Sequence, residues 1–187
     1  WMNELATAVK EGLTRTVGVS NYDQSQMLQA YSALARHEIP LASNQVEYHL
    51  LDRRVEKNGL LARCQELDVR LIAYSPLAMG LLTGKYNAGM PEGTRANLAG
   101  YEWLKKRFTD ETAIENITKV GKLLPIAEEI GCTMAQLALA WTLKNPNVST
   151  TMTGASRVEQ VVENMKAIEY VEKITPDVME AIETILD

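Results

Sequence analysis

R-L-I-A-Y-S-P-L-A-M-G-L-L-T-G-K, residues 70–85, is the stretch that decides the fold class. It starts as a short apolar run, the pattern of a parallel strand buried on both faces. Ser75-Pro76 ends that strand, because proline lacks a backbone donor and biases the residue before it away from helix. Gly80, Gly84 and Lys85 then open a segment with no clear period, extending to about Thr109. Connections in compact βα units usually run about 2–6 residues, so a segment of this length reads as a lid or binding loop. A buried strand that empties into a glycine- and lysine-bearing loop is a place for a ligand. The other strands can then be judged by whether their ends lead to the same kind of chemistry.

Working outward, residues 14–20, 41–46, 69–74 and 148–152 read as strands. Residues 2–11 have helical composition, with Gly12 as a stop. Asp23 with Gln26 predicts a capping box for a helix that carries Met27, Tyr31, Leu34 and Ala35 on one face and ends before Pro40. A helix is predicted over 54–67, its buried stripe being Leu60, Leu61, Cys64 and Leu67. Beyond the long loop, Thr109 or Asp110 should cap a helix reaching about Gly131, kinked or split at Pro125. Thr133 with Gln136 opens a helix whose apolar density implies burial on most sides, and Asn145-Pro146 ends it. Ser156 with Glu159 predicts another capping box, for a helix to about Ile168. Thr175-Pro176 starts the last helix.

The order is α-βα-βα-β-loop-αα-βα-α. Alternation with short connections means a parallel sheet with crossover helices, and the first three strands recur about every 26–28 residues, as βα repeats do. No G-x-G-x-x-G follows any strand, so the Rossmann fingerprint is missing. A (β/α)8 barrel needs about 250 residues and eight strands. Four strands in 187 residues read as half of one.

Composition bounds the function. With 46% hydrophobic and 23% charged residues the chain reads as a single soluble domain over 1–187. A net charge of −5 argues against nucleic acid or an anionic membrane as a partner. Cys64 and Cys132 are too few for a disulfide framework or a metal site, and two free thiols fit a cytoplasmic location. No run approaches the ~20 apolar residues of a membrane span. The opening Trp1-Met2 already lies in a helical pattern, which implies that the natural start is upstream.

In a parallel barrel the active face lies at the C-terminal ends of the strands. Those ends carry Ser20 and Asn21, Gln45, Tyr74 and Ser75, and Gly154 to Ser156. Carboxamides and hydroxyls there can pair with a ligand amide, which offers one donor group and one acceptor. A tyrosine ring gives a flat face to a flat heterocycle, and a glycine-rich turn opening a helix suits phosphate. Together these suit a nicotinamide, its carboxamide and a pyrophosphate. Each residue also has an ordinary reading: a helix-entry turn for Ser20 and Asn21, a rim hydrogen bond for Gln45, core for Tyr74, solvated loop charges for Lys85 and Arg95, and a helix cap for Ser156.

V-G-V-S-N-Y, N-Q-V-E-Y-H, A-Y-S-P-L-A-M-G-L-L-T-G-K-Y and T-G-A-S-R-V-E-Q-V-V-E-N, in that order, strongly resemble the aldo-keto reductases over essentially the whole chain. The loop R-A-N-L-A-G-Y-E-W-L-K looks like the branch containing voltage-gated potassium channel beta subunits and their microbial relatives. The resemblance implies the C-terminal half of a (β/α)8 barrel, strands 5 to 8 of the family, with a clamp loop over 75–109. It implies NADPH (NADP+) as cofactor. Ser20, Asn21 and Gln45 match the positions that hold the nicotinamide carboxamide, and Tyr74 matches the ring that stacks on nicotinamide. Ser75, Leu77 and Gly80 match contacts to the pyrophosphate region, with Lys85 and Arg95 on the clamp loop. Gly154, Ser156, Gln160, Glu163 and Asn164 match the adenosine-phosphate and adenine contacts, and Arg157 stands where it could pair with a 2′-phosphate.

The family's catalytic aspartate, tyrosine, lysine and histidine have no matching position here, so no catalytic residue is assigned. Tyr48 and His49 tempt a reassignment, but E-Y-H matches the family just after its sixth strand, and His49 reads as a loop or structural residue. The expected function is NADPH-dependent reduction of a small aldehyde or ketone by the parent protein, this chain being inactive alone. Two exposed parallel edges, near 15–19 and 148–152, predict self-association. The alternatives are a redox-sensing, NADPH-binding subunit docked on a potassium channel and a non-enzymatic half-barrel remnant.

Overall fold

The structure is a computed structural model that describes the backbone of residues 1–187 and every side chain except those of Arg95, Lys106 and Arg107. Contacts within the chain gather into two compact units. The first comprises Trp1–Tyr48, Asp52–Tyr74 and Asn145–Met152, and the second His49–Leu51, Ser75–Lys144 and Thr153–Asp187.

The first unit is a parallel sheet with its helices. Its elements are α1 (Met2–Lys10), β1 (Val17–Ser20), α2 (Gln24–Ala35), β2 (Leu41–Glu47), α3 (Arg54–Lys57), α4 (Leu60–Glu66), β3 (Arg70–Tyr74) and β4 (Val148–Thr151). The strands lie in the order β1-β2-β3-β4, every neighbouring pair parallel. This α/β arrangement is consistent with part of a (β/α)8 barrel. The register sets Ser20 beside Gln45 and Glu47 beside Tyr74, so residues far apart in sequence share one end of the sheet. Gly18 lies close against β2: a Cβ there would sit 2.4 Å from Ser43 Oγ and 3.1 Å from the Ser43 carbonyl oxygen, so Ser43 would have to shift. Met27, Leu34, Leu41, Leu71 and Ala73 are fully buried, as the apolar runs predicted.

Local chemistry sets the helix limits. Asp23 and Gln26 form the predicted capping box at α2. The single helix predicted over 54–67 is instead two. Gly59 adopts φ +78 and the Asn58 side chain accepts the Leu60 N–H, so Asn58-Gly59 breaks the segment and restarts it.

The second unit is mostly helical: α5 (Glu102–Arg107), α6 (Glu111–Ile130), α7 (Met134–Lys144), α8 (Val158–Met165) and α9 (Pro176–Leu186), with 3₁₀ segments at Ala78–Thr83, Arg95–Asn97 and Lys166–Lys173. Asp110 caps α6, Thr133 and Gln136 bond reciprocally at the start of α7, and Thr175 caps α9, as predicted. Met134 to Thr142 are all buried, in line with the apolar density of α7. Pro125 does not split α6, which runs through it as one element. The residue four back, whose carbonyl the ring crowds, is Gly121, and its backbone has the widest freedom to move aside.

Residues 75–109 are more than a loop. Leu81, Tyr86, Ala96, Leu104 and Phe108 form a buried cluster, and the Tyr86 and Phe108 rings lie 4.6 Å apart. Among the described residues, no single helix is long and apolar enough to cross a membrane, and no group of three or more His, Cys, Asp or Glu could hold a metal.

Candidate functional site

At the C-terminal ends of β1, β2 and β3 the four residues matched to a nicotinamide pocket are joined by hydrogen bonds. Tyr74 Oη donates to Asn21 Oδ1 at 3.1 Å. Asn21 Nδ2 donates to Ser20 Oγ at 3.3 Å, and Ser20 Oγ donates to the Gln45 carbonyl at 3.1 Å. The Gln45 carbonyl also accepts the Asn21 backbone N–H at 2.8 Å. Gln45 Nε2 in turn donates to Met152 Sδ at 3.3 Å. Ser20 and Asn21 are exposed, and Gln45 and Tyr74 half-buried, so polar groups and ring stay reachable.

The backbone at these ends is unusual. Asn21 has φ +56, a left-handed conformation that asparagine tolerates better than most side chains. It turns the chain out of β1 and brings its carboxamide to Tyr74. Beside it, the Tyr48 N–H reaches the Tyr74 carbonyl at 3.5 Å. Tyr48 is buried; its hydroxyl donates to Glu56, which also holds Arg53, and accepts from Asn145 Nδ2. Burial first, then the Glu56 hydrogen bond, pushes the Tyr48 phenol well above its ordinary pKa, so it stays protonated and acts as a fixed strut.

In the second unit, Ser75 (φ +53), Ala78 (φ +48), Met79 (φ +57), Gly80 (φ +106) and Gly84 (φ +77) make a run of left-handed backbone just after β3. Five left-handed residues within ten positions, three of them not glycine, make a strongly turned backbone of the kind found at functional sites. A Cβ on Gly80 would sit 3.3 Å from Lys85 Nζ, so the missing side chain lets the ammonium lie over the turn. Lys85 Nζ is also 5.0 Å from the centre of the Tyr86 ring. Leu77 is half-buried in the same turn and its carbonyl accepts the N–H groups of Gly80 and Leu82. The Arg95 side chain lies outside the described residues.

The α8 region departs from expectation. Ser156 does not cap α8; Arg157 occupies the N-cap position, without a side-chain cap bond. The Ser156 N–H and hydroxyl both donate to Gln160 Oε1, at 2.9 and 3.2 Å, because Gln160 reaches back four residues where Glu159 was expected to. Gly154 and Arg157 are exposed. Glu163 accepts from Thr133 Oγ1 at 2.9 Å, and its carbonyl from Gln136 Nε2 at 3.0 Å; Asn164 is buried. A groove of about 450 Å³ is lined by Gln136, Val158, Glu159, Val162, Glu163 and Lys166.

His49 is 4% exposed and its Nδ1 accepts the Leu51 N–H at 3.2 Å, the structural part read for it. Two residues were not found from sequence. Met152 follows β4 directly, but nothing in its neighbours signals a contact with a residue 107 positions away. Thr94 is 7% exposed and its hydroxyl has no hydrogen-bond partner among the described residues, which a polar loop residue gives no warning of.

The aldo/keto reductase family model matches residues 1–187, and the chain belongs to that family. Among solved structures it is similar to a thermostable aldo-keto reductase, Tm1743, determined in complex with the inhibitor epalrestat. The identity is 30% and the TM-score 0.70, with 98% of this chain matched. The match covers 53% of the Tm1743 chain, so this sequence spans about half of that relative's length.

Proposed function

We propose that this chain is the cofactor-binding part of an NADPH-dependent aldo-keto reductase, an oxidoreductase that converts aldehydes or ketones to alcohols. One observation carries the reading: Tyr74, Asn21, Ser20 and Gln45, drawn from three strand ends, form one hydrogen-bonded set. The residues present fit a nicotinamide carboxamide. Asn21 turns Oδ1 to Tyr74 and one Nδ2 hydrogen to Ser20, which leaves its second Nδ2 hydrogen for a ligand carbonyl; Gln45 turns Nε2 to Met152, which leaves Oε1 for a ligand amide N–H. The left-handed turn with Lys85 over Gly80 fits a diphosphate in the same way.

When bound, the cofactor supplies the hydride. The chain's own residues bind and orient it: the Tyr74 ring offers a face to the nicotinamide, and its hydroxyl bond to Asn21 holds the far end of the side chain in place. Arg157 is exposed beside α8, where it can meet a 2′-phosphate. The family's catalytic aspartate, tyrosine, lysine and histidine have no matching position in this chain, so reduction by this chain alone is not expected.

The test is a titration of the purified 187-residue chain with NADPH, followed by nicotinamide fluorescence, and an assay with an aromatic aldehyde. Saturable one-site binding without turnover is expected. Absence of saturation below about 1 mM, the weak end of specific binding, would sink the binding role; turnover by this chain would sink its inactivity.

A further inference from the structure

We propose that Met152 is an oxidisable switch on the Gln45 carboxamide, so that peroxide lowers the affinity of the strand-end site for its cofactor. This rests on the nicotinamide reading above. Met152 is anchored where β4 ends, its N–H donating to the Ala73 carbonyl at 2.8 Å. Its sulfur accepts from Gln45 Nε2 at 3.3 Å. The side chain is nonetheless 47% exposed, whereas Met27 and Met134 are buried, so a dissolved oxidant reaches Met152 readily. The sulfur is therefore both reachable and in contact with a group proposed to hold the ligand amide.

The contact decides which way Gln45 faces. A carboxamide has one donor end and one acceptor end, and the sulfur takes the donor end. Oxidation changes that partner. A lone pair on Sδ attacks one oxygen of hydrogen peroxide, the O–O bond breaks, and water leaves. The sulfur loses two electrons to give methionine sulfoxide, and the peroxide is reduced. The product is polar and chiral, and its acceptor is an oxygen one bond beyond the sulfur. The Gln45 amide must turn or withdraw to follow it, and Oε1 leaves its direction toward the ligand. The step is reversible by methionine sulfoxide reductases.

The experiment compares the unmodified chain and Met152→Leu before and after hydrogen peroxide. One readout is the NADPH dissociation constant. The other is the Gln45 side-chain NH₂ resonance in 1H–15N spectra, identified by its loss in Gln45→Ala. In the wild-type chain peroxide should shift that resonance and weaken NADPH binding about 5–10-fold, the size of one charge-free hydrogen bond lost. Reductase treatment should restore both. Met152→Leu should bind more weakly from the start and be insensitive to peroxide, which controls for the other exposed methionine, Met165. Equal peroxide sensitivity of Met152→Leu and wild type would overturn the proposal, as would an unmoved Gln45 resonance in oxidised wild type. A resonance that moves in a chain that never binds NADPH would overturn the nicotinamide reading, and the switch with it, while keeping the sulfur–amide contact.

Discussion

The strand-end cluster and the start of α8 are each matched by resemblance to cofactor contacts, yet they are built in different ways. In the cluster the bonds are long in sequence: Tyr74 to Asn21 spans 53 residues and Ser20 to Gln45 spans 25. At α8 the Ser156–Gln160 bonds span four residues. Long-range bonds are held by the sheet, and only the fold brings their members together. Local bonds form whenever one helical turn forms. The cluster is thus oriented before a ligand arrives, so binding costs it little ordering, while Ser156 must exchange a partner before it can serve a phosphate. On the proposed reading, preorganisation is concentrated where a nicotinamide ring would lie.

The most direct way to break this contrast is Asn21→Gly. Glycine keeps the φ +56 backbone without strain and removes only the carboxamide that joins Tyr74 to Ser20. Two bonded groups lose their partner, and NADPH affinity should fall about 30–100-fold, or about 2–3 kcal/mol. Asn21→Ala should do worse, because a β-carbon in left-handed backbone adds about 1 kcal/mol of strain. Isothermal titration checks both. If the glycine variant binds as wild type does, the cluster is a structural feature of the sheet and holds no amide.

At α8 a smaller effect is expected from Arg157→Ala. Arg157 is exposed, so its attraction to a 2′-phosphate is screened by water and salt, and such pairs contribute about 1 kcal/mol or less. NADPH binding should weaken about fivefold, NADH binding should not change, and the difference should shrink at high salt. Equal affinities of the variant and the wild-type chain for NADPH would remove Arg157 from the site.

What the sequence showed and hid follows the same division. Strands were legible because each is a short apolar or β-branched run with a clear terminus, as at Tyr74-Ser75-Pro76. Caps were legible where one side chain competes for an N–H, as at Asp23 and Thr175. At Ser156 two side chains compete, Glu159 at three residues and Gln160 at four, and spacing alone does not choose. The Asn58-Gly59 break was missed because the apolar stripe continues across it. The 75–109 segment looked unstructured because 3₁₀ turns carry no 3.6-residue period and because Tyr86 and Phe108 meet through tertiary packing. The four motifs named candidate residues, but not the order in which they bond, which depends on sheet register and on Met152.

The smallest effect, and the last way to sharpen the comparison, concerns the other face of α8. Val158, Val161, Val162 and Met165 recur at helical spacing and are exposed by half or more, as is Ile168 just beyond. An apolar stripe at this spacing usually faces a core. In the strand-end cluster exposure serves polar groups; here it leaves apolar surface in water, where the hydrophobic effect favours covering it. We expect the isolated chain to self-associate through this stripe. Val162 is 54% exposed, so covering the rest of it on association is worth about 1 kcal/mol. Val162→Glu would forfeit that and add a charge beside Glu159 and Glu163, which also line the groove. The dimer dissociation constant in sedimentation equilibrium should rise at least about fivefold. The strand-end hydrogen bonds should stay as they are, because the substitution touches none of them. A variant that associates as the wild type does would move the contact elsewhere, to the open edges at β1 and β4, where unpaired backbone rather than valine would do the joining.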